Sequence, residues 1–196
     1  MLGTEVVSAI REIIQVGALA IFIILLLQST IRNYEVSGPS MEPLLGTGNR
    51  VIVNRVVYMG VDKQRLSKYI PWQSNDVNGR WYLFQPPQEG DIVVFEWPRN
   101  PDQKLVKRVI GTPGNTVGIT RGTVFVNQEP ISEPYVQKEN GQTIGRRSVP
   151  QDHYYLLGDN RAESDDSRHW GFVPEENIVG RVWLNYWPVA DFSLLL

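Results

Sequence analysis

The sequence predicts a mainly β domain that follows a single N-terminal membrane-spanning helix. Two observations carry this prediction: a long apolar run near the N-terminus, and short, frequent segments of β-branched and aromatic residues through the rest of the chain. No long segment after residue 33 shows an apolar period of 3.6 residues. The part of the chain that follows the apolar run is therefore expected to consist mainly of strands and loops.

The apolar run extends from Ile13 to Ile31 without a charged residue. Nineteen helical residues rise about 28 Å, close to the hydrocarbon thickness of a bilayer, roughly 30 Å. A cleavable signal peptide is the alternative, but it usually has a shorter apolar region and a small-x-small cleavage site, which residues 28–32 do not offer. We therefore expect a short tail over residues 1–12, a retained transmembrane helix over 13–31, and a β-rich domain over 33–196. One arginine flanks each side of the run, so the charges leave its orientation open.

Six segments carry strand signals, and Gly, Pro, Asn or Asp stands close to most of their ends. Residues 123–127, followed by 128–131, indicate a hairpin. Residues 60–89 differ from the rest because they are polar and contain paired prolines, and they are interpreted as an excursion from the core sheet, part loop and part helix. The six strand segments are residues 50–54, 91–95, 105–110, 123–127, 153–157 and 181–187.

Composition excludes several classes of function. The chain has 19 basic and 21 acidic residues without a basic stripe, which argues against a nucleic-acid partner. It has no cysteine, so a disulfide, a thiol nucleophile and a Cys-type zinc site are excluded. We expect no metal and no cofactor.

Ser40 is the candidate nucleophile. It lies in a turn rich in glycine and proline, residues 37–43 (SGPSMEP), a few residues beyond the apolar run. A serine held there can act on substrates that are themselves in the bilayer. It needs a base, and the two histidines, His153 and His169, stand in no recognisable triad motif.

Lys107 is the candidate base. In a strand over residues 105–110, Leu105, Lys107 and Val109 lie on one face, so the lysine has apolar neighbours. Burial lowers the pKa of a lysine and makes a neutral amine available. The alternative is a lysine whose ammonium reaches the surface and forms a salt bridge, and the strand pattern alone favours that reading.

The chain resembles the type I signal peptidases (leader peptidases), membrane-anchored Ser-Lys proteases that remove signal peptides. Several blocks match in the family's order and cover essentially the whole chain after the apolar run. The last block, GDNRAESDDSR followed by GFVP, is the most specific. The matching blocks are residues 37–45, 48–53, 90–95, 107–114, 158–168 and 171–174.

The resemblance implies an antiparallel β-sheet catalytic domain of the signal peptidase type and a role for each matching residue. Ser40 corresponds to the nucleophile, Lys107 to the general base, and Ser164 to a serine that orients the lysine amine by a hydrogen bond. Charged residues that hold the family's site together correspond to Arg108, Asp159, Asp166 and Arg168.

Gly38 departs from a frequent family pattern, in which a serine two residues before the nucleophile helps to stabilise the oxyanion. Some members have glycine there. The Ser40 amide, with water or the Gly38 backbone, is then left to carry the developing charge, since Pro39 has no N–H.

The resemblance also implies the substrate and its setting. The substrates are preprotein signal peptides with Ala-x-Ala-like ends, bound as an extended strand. Met41 and Val106 match the pocket for the residue before the cut. The pocket for the third residue before it matches Tyr34, Val36, Val51 and Val94. The remaining expectations are a single pass through a plasma or thylakoid membrane, a cytoplasmic N-terminus, an extracytoplasmic catalytic domain, contact with the lipid bilayer and proximity to the secretion translocon.

Two other classes of function stay open at the level of sequence. One is a non-catalytic, membrane-tethered β domain that scaffolds exported chains, although Ser40, Lys107 and Ser164 are all present. The other is a Ser-Lys self-cleaving regulator, which would be expected to carry a nucleic-acid-binding part and a cleavable linker.

Overall fold

A long N-terminal helix precedes a domain of antiparallel strands. The computed structural model describes residues 2–62, 80–136 and 141–195. Strands make up most of the regular structure after the helix, which confirms the predicted mainly β class. The helices in the described part of this domain are short: α2 spans Ser167–Trp170, and 3-10 turns span Glu175–Asn177 and Val189–Asp191.

The N-terminal helix, α1, spans Leu2–Thr30. It therefore begins within the predicted tail and ends one residue before the predicted boundary. Ile31 instead starts the first strand, because the segment pairs with a neighbouring strand and Ile31 faces Asn54. Every described side chain from Ile10 to Leu25 is exposed. No helix within the described ranges has the length and hydropathy needed to cross a membrane.

The main sheet has eight antiparallel strands in the order β1-β2-β13-β5-β6-β11-β12, with β14 paired to β13. The predicted strands over residues 50–54 and 153–157 are confirmed without a shift, while the other predicted strands in this sheet are longer than expected. Its strands are β1 Ile31–Glu35, β2 Arg50–Asn54, β5 Ile92–Trp97, β6 Asn100–Gly111, β11 His153–Leu157, β12 Val173–Pro174, β13 Ile178–Trp187 and β14 Ser193–Leu194.

A second sheet has four strands in the order β10-β7-β8-β9. It contains the predicted hairpin, in which Val126 faces Glu129. The two turn residues between them, Asn127 and Gln128, both have positive φ, the backbone twist that matches a two-residue hairpin loop. The strands are β7 Thr116–Thr120, β8 Thr123–Val126, β9 Glu129–Pro130 and β10 Ile144–Ser148.

The predicted excursion over residues 60–89 is described only at its two ends. Strands β3, Gly60–Asp62, and β4, Arg80–Tyr82, pair as a separate two-stranded sheet. Residues 63–79 lie outside the described residues, so the predicted mixture of loop and helix is not tested there.

The core consists of three clusters of buried apolar side chains. The one that bears on the site, which we call the Met41 cluster, fills the space between the β1–β2 connection and the main sheet. Its buried members are Val36, Met41, Leu45, Val51, Val53, Ile92, Val94 and Val182. The other two clusters are centred on Tyr155 and on Phe95.

Candidate active site

Ser40 lies in the connection between β1 and β2, in a turn that the backbone closes twice. The amide of Glu42 donates to the carbonyl of Pro39 at 3.0 Å, and the amide of Leu45 donates to the carbonyl of Met41 at 2.9 Å. The Met41 side chain is fully buried next to Ser40 and fixes the turn to the core. Gly38 has a φ of 93°, a left-handed conformation that favours glycine.

The side chain of Lys107 contacts the side chain of Ser40. Its Nζ lies 2.7 Å from Ser40 Oγ and 3.1 Å from the carbonyl oxygen of Val106. The lysine stands within β6, opposite Val93 of β5, and only 3% of its surface is exposed. The predicted buried strand position is therefore confirmed, and the alternative of a surface lysine is wrong.

Burial sets the protonation of Lys107. Removal of the amine from water lowers the pKa of Lys107 from 10.5 to about 8, although the carboxylates of Asp166, Asp165 and Asp159 act in the opposite direction. A substantial fraction of the amine is therefore neutral in mildly alkaline solution. A neutral amine 2.7 Å from a hydroxyl can accept its proton.

The histidines do not compete for this role. His153 Nδ1 contacts the carbonyl of Gln151 at 2.8 Å, and His169 Nδ1 contacts Asp165 Oδ1 at 3.0 Å. Both contacts are exposed. Neither imidazole shares a hydrogen bond with Ser40 among the described residues.

The four charged residues expected to hold the site together form two buried ion pairs near Lys107, and Arg108 and Asp159 form the first of them. Arg108 donates from Nε to Asp159 Oδ1 at 2.9 Å and from Nη2 to Oδ2 at 2.6 Å. Its Nη1 donates to the Gly90 carbonyl, and its guanidinium lies 3.9 Å from the centre of the Tyr135 ring. The pair joins β6 to the loop after β11 with a fixed, planar geometry.

Asp166 and Arg168 form the second pair. Arg168 donates from Nε to Asp166 Oδ1 at 2.7 Å and from Nη2 to Oδ2 at 2.8 Å. Asp166 Oδ2 also accepts from the amide of Gly158 at 3.1 Å. Asp166 is fully buried and Arg168 is 4% exposed, so the carboxylate is balanced inside the protein.

Ser164 differs from the prediction. Its hydroxyl donates to Asp166 Oδ2 at 2.7 Å, and among the described residues it shares no hydrogen bond with Lys107. The physical reason is that the Lys107 amine is held by Ser40 Oγ and the Val106 carbonyl, while the Ser164 hydroxyl proton is taken by the buried carboxylate of Asp166. Ser164 still belongs to the site, because a methyl group on Gly158 would collide with both Ser164 Oγ and the Ser40 carbonyl.

The six residues predicted to bind substrate are brought together. Val36, Met41, Val51 and Val94 are buried members of the Met41 cluster, and Tyr34 and Val106 pack against it while partly exposed. Met41 is the residue after Ser40, and Val106 is the residue before Lys107, so the cluster lies next to the pair.

Three residues that the sequence analysis did not single out support the site. Asn160 bonds to the backbone of the Ser40 turn. Arg161 pairs with Glu133 in a buried two-point contact. Asn160 and Arg161 stand inside the matched block 158–168, which was their only signal, whereas no motif marks Glu133.

A polar cleft of about 860 Å³ lies elsewhere and contains neither Ser40 nor Lys107. Its wall carries charges of both signs, including Arg32, Arg55, Lys104 and Glu96. Lys104 and Glu96 pair with each other at 3.5 Å. The Ser40–Lys107 pair therefore does not coincide with this cleft.

Comparisons with known proteins identify chains that are similar to this one. The family model described as signal peptidase, peptidase S26, matches residues 9–187. The chain is 39% identical to signal peptidase I of Leptolyngbya laminosa, over 77% of this chain and 81% of the relative. It is 31% identical to signal peptidase I of Pseudomonas aeruginosa, over 89% of this chain and 72% of the relative. A crystal structure of a signal peptidase I from Enterococcus faecalis covers 50% of this chain and 97% of its own, with 36% identity and a TM-score of 0.44.

Proposed function

Because the chain belongs to the signal peptidase family, peptidase S26, we propose that it removes signal peptides from exported preproteins with a Ser40–Lys107 dyad. Membership makes the protein a serine endopeptidase, which is a hydrolase. The observation that carries the proposal is the 2.7 Å separation between Lys107 Nζ and Ser40 Oγ. At this distance the Ser40 hydroxyl is hydrogen-bonded to a buried amine whose pKa is lowered to about 8.

The reaction follows from the protonation states. Neutral Lys107 takes the proton of Ser40, and Oγ attacks the carbonyl carbon at the cut. The tetrahedral intermediate collapses when Lys107 returns that proton to the leaving amine, which leaves an acyl-enzyme. Water, deprotonated by the same lysine, then attacks the ester. Lys107 returns this proton to the leaving Ser40 Oγ, and the signal peptide is released with a free carboxylate.

The Ser40 amide stabilises the negative charge that develops on the carbonyl oxygen. Its N–H makes no hydrogen bond in the part of the chain that the structure describes, so it is available. Gly38 has no hydroxyl to add, and Pro39 has no N–H. A preorganised donor of this kind contributes several kcal/mol to the transition state.

The substrate binds as an extended strand next to the catalytic pair. Met41 and Val106 belong to the pocket for the side chain before the cut, and Tyr34, Val36, Val51 and Val94 to the pocket for the third side chain before it. The partly exposed Val106 and Tyr34 face the substrate, and the buried members support them from the core. Because these residues are apolar and closely packed in one cluster, they exclude bulk rather than recognise a polar group. Cleavage after Ala-x-Ala-like ends follows from that exclusion.

Helix α1 anchors the enzyme in a bilayer. Large apolar side chains on it are exposed, among them Ile13, Val16 and Phe22 at 72%, 67% and 60%. Water solvates such a surface poorly, and lipid covers it. The helix leads directly into β1, which begins only nine residues before Ser40. The active site is thereby held close to the membrane. From the family resemblance we expect it on the extracytoplasmic side, where signal peptides and the translocon are found.

The test is cleavage of a preprotein in detergent by the wild type and by Ser40→Ala. We expect the wild type to release a fragment after an Ala-x-Ala end and Ser40→Ala to release none. Ser148→Ala is the matched control, since Ser148 is an exposed serine on β10, and it should cleave like the wild type. A wild type that binds the preprotein without cutting it would favour a scaffold. A wild type that cuts only itself would favour a self-cleaving regulator.

A further inference from the structure

Asn160 bonds twice to the backbone around Ser40. Its amide N–H donates to the Ser40 carbonyl at 3.1 Å, and its side-chain Nδ2 donates to the Pro39 carbonyl at 3.2 Å. Asn160 is 7% exposed. Two successive carbonyls of the nucleophile turn are therefore held by one residue of the loop after β11.

The second bond fixes the direction of the Ser40 N–H together with the Glu42 amide, which donates to the same Pro39 carbonyl at 3.0 Å from within the turn. The Pro39 carbonyl and the Ser40 N–H belong to the same peptide group, which is not among the cis bonds of the described chain. In a planar trans peptide these two groups point in opposite directions. A donor that holds the carbonyl oxygen from one side therefore aims the N–H toward the other side.

The orientation of the Asn160 amide is set by this contact. Its Oδ1 is buried and has no hydrogen-bond partner in the described structure. The flipped amide would place Oδ1 against the Pro39 oxygen, where two acceptors repel each other. A buried acceptor without a partner is unfavourable. The donor that Nδ2 supplies to Pro39 accordingly outweighs that loss.

We infer that Asn160 is a positioning residue that aims the Ser40 N–H at the oxyanion of the transition state. The inference rests on the proposed function, because it requires Ser40 to be the nucleophile. The role matters more here than in a site with a second donor, since Gly38 has no hydroxyl. Asn160 itself does not touch the substrate.

The test separates binding of the ground state from binding of the oxyanion. An Ala-x-Ala peptide aldehyde adds to Ser40: Oγ bonds to the aldehyde carbon, the serine proton moves to Lys107, and the aldehyde oxygen becomes an oxyanion beside the Ser40 N–H. The matched peptide alcohol binds the same pockets without forming that bond. Both dissociation constants and the kinetics of peptide cleavage are measured for the wild type, Asn160→Ala and Asn160→Asp.

We expect kcat to fall about 10- to 100-fold in Asn160→Ala, with KM within about twofold of the wild type. Affinity for the aldehyde should fall in parallel with kcat, while affinity for the alcohol should stay the same. Asn160→Asp keeps the shape and the backbone N–H but loses the donor to Pro39, and it should behave like the alanine variant. In Asn160→Ala the alkaline limb of the pH profile should stay near 8, because Lys107 and the carboxylates around it are unchanged.

Asn177→Ala is the matched control, because Asn177 Nδ2 also donates to a backbone carbonyl, that of Glu96, at 3.0 Å. It should keep wild-type kcat and aldehyde affinity. Equal losses of aldehyde and alcohol affinity in both Asn160 variants would overturn the inference and assign Asn160 to the general structure of the pocket. Unchanged aldehyde affinity would overturn it as well. Failure of the proposed function is distinguishable, since the aldehyde would then bind Ser40→Ala as tightly as the wild type.

Discussion

Lys107 Nζ lies 2.7 Å from Ser40 Oγ although the two residues are 67 positions apart in the chain. The distance results from β6, which carries the lysine into the main sheet, and from the turn between β1 and β2, which is fixed to the core by Met41. Burial destabilises the charged lysine, and three nearby aspartates partly compensate. Burial and the three carboxylates together leave the pKa of Lys107 at about 8, so the amine loses its proton in mildly alkaline solution.

The pH profile should report Lys107. Its pKa is lowered from 10.5 to about 8, and only the neutral form accepts the serine proton. We expect kcat/KM to rise about tenfold per pH unit below 8 and to level off above it. The measurement is peptide cleavage between pH 6 and pH 10.

Asp165→Asn sharpens that experiment. Asp165 raises the pKa of Lys107, and its side chain is 67% exposed, so the substitution should be tolerated. In this variant the rise of kcat/KM should occur at lower pH, because the pKa of Lys107 is lower without the Asp165 charge. A profile that is flat across pH 8 in the wild type would argue against a lysine base.

The Arg108–Asp159 pair should be essential to stability. Asp159→Asn leaves a buried guanidinium without its counter-charge, a change that typically lowers the free energy of unfolding by about 3–5 kcal/mol. Urea denaturation of the wild type and the variant checks this. Glu35→Gln is the control, because Glu35 pairs with Arg50 at 3.4 Å on the exposed surface, and it should change stability by less than about 1 kcal/mol. Equal losses of stability from Asp159→Asn and Glu35→Gln would show that the Arg108–Asp159 pair is not essential to stability.

Gly38→Ser should not improve the enzyme, although it would introduce the hydroxyl that many family members have. The φ of 93° at Gly38 is unfavourable for a residue with a side chain, by about 1–2 kcal/mol, so we expect lower stability and lower kcat. Thermal unfolding and peptide cleavage measure both. Gly145→Ala is the control, since Gly145 also has open space around it but no positive φ. A gain in kcat for Gly38→Ser at unchanged stability would show that the turn adapts.

Removal of residues 1–29 should affect substrates unequally. The truncation retains β1 and the Thr30 carbonyl, which accepts from the amide of Arg55 at 2.9 Å, so the domain keeps its first sheet contacts. Cleavage of a preprotein in vesicles should slow far more than cleavage of a short soluble peptide. Equal rates of the truncated and full chains on both substrates would remove the positional role of α1, while the dyad would stand.

The sequence predicted the parts of the fold whose signal is local. Strands β2 and β11 are rich in β-branched or aromatic residues, and both were located without a shift. Strands β7 and β10 were missed. Residues Ile144–Ser148 contain a glycine and two arginines and are mostly exposed, so they become a strand only by pairing with β7. Such pairing is not visible in the pattern of one segment.

The candidate site shows the same division. Ser40 and Lys107 could be predicted because each stands in a matched block, and the structure brings them into contact. The partner of Ser164 could not, because the groups that lie around the Ser164 hydroxyl and the Lys107 amine are decided only in the folded chain. Asn160 was missed for a similar reason, since its partners are backbone carbonyls on the other side of the site.

The measurement that tests the central claim most directly is the rate of peptide cleavage by Lys107→Arg compared with Lys107→Ala and the wild type. Arginine keeps the positive charge and nearly the length of lysine but cannot give up a proton near neutrality. We expect both variants to lose activity to the same extent, by about 100- to 10,000-fold, at every pH at which they remain folded. If arginine instead restored a large part of the wild-type rate, Lys107 would act through its charge, and the Ser40–Lys107 dyad would be wrong.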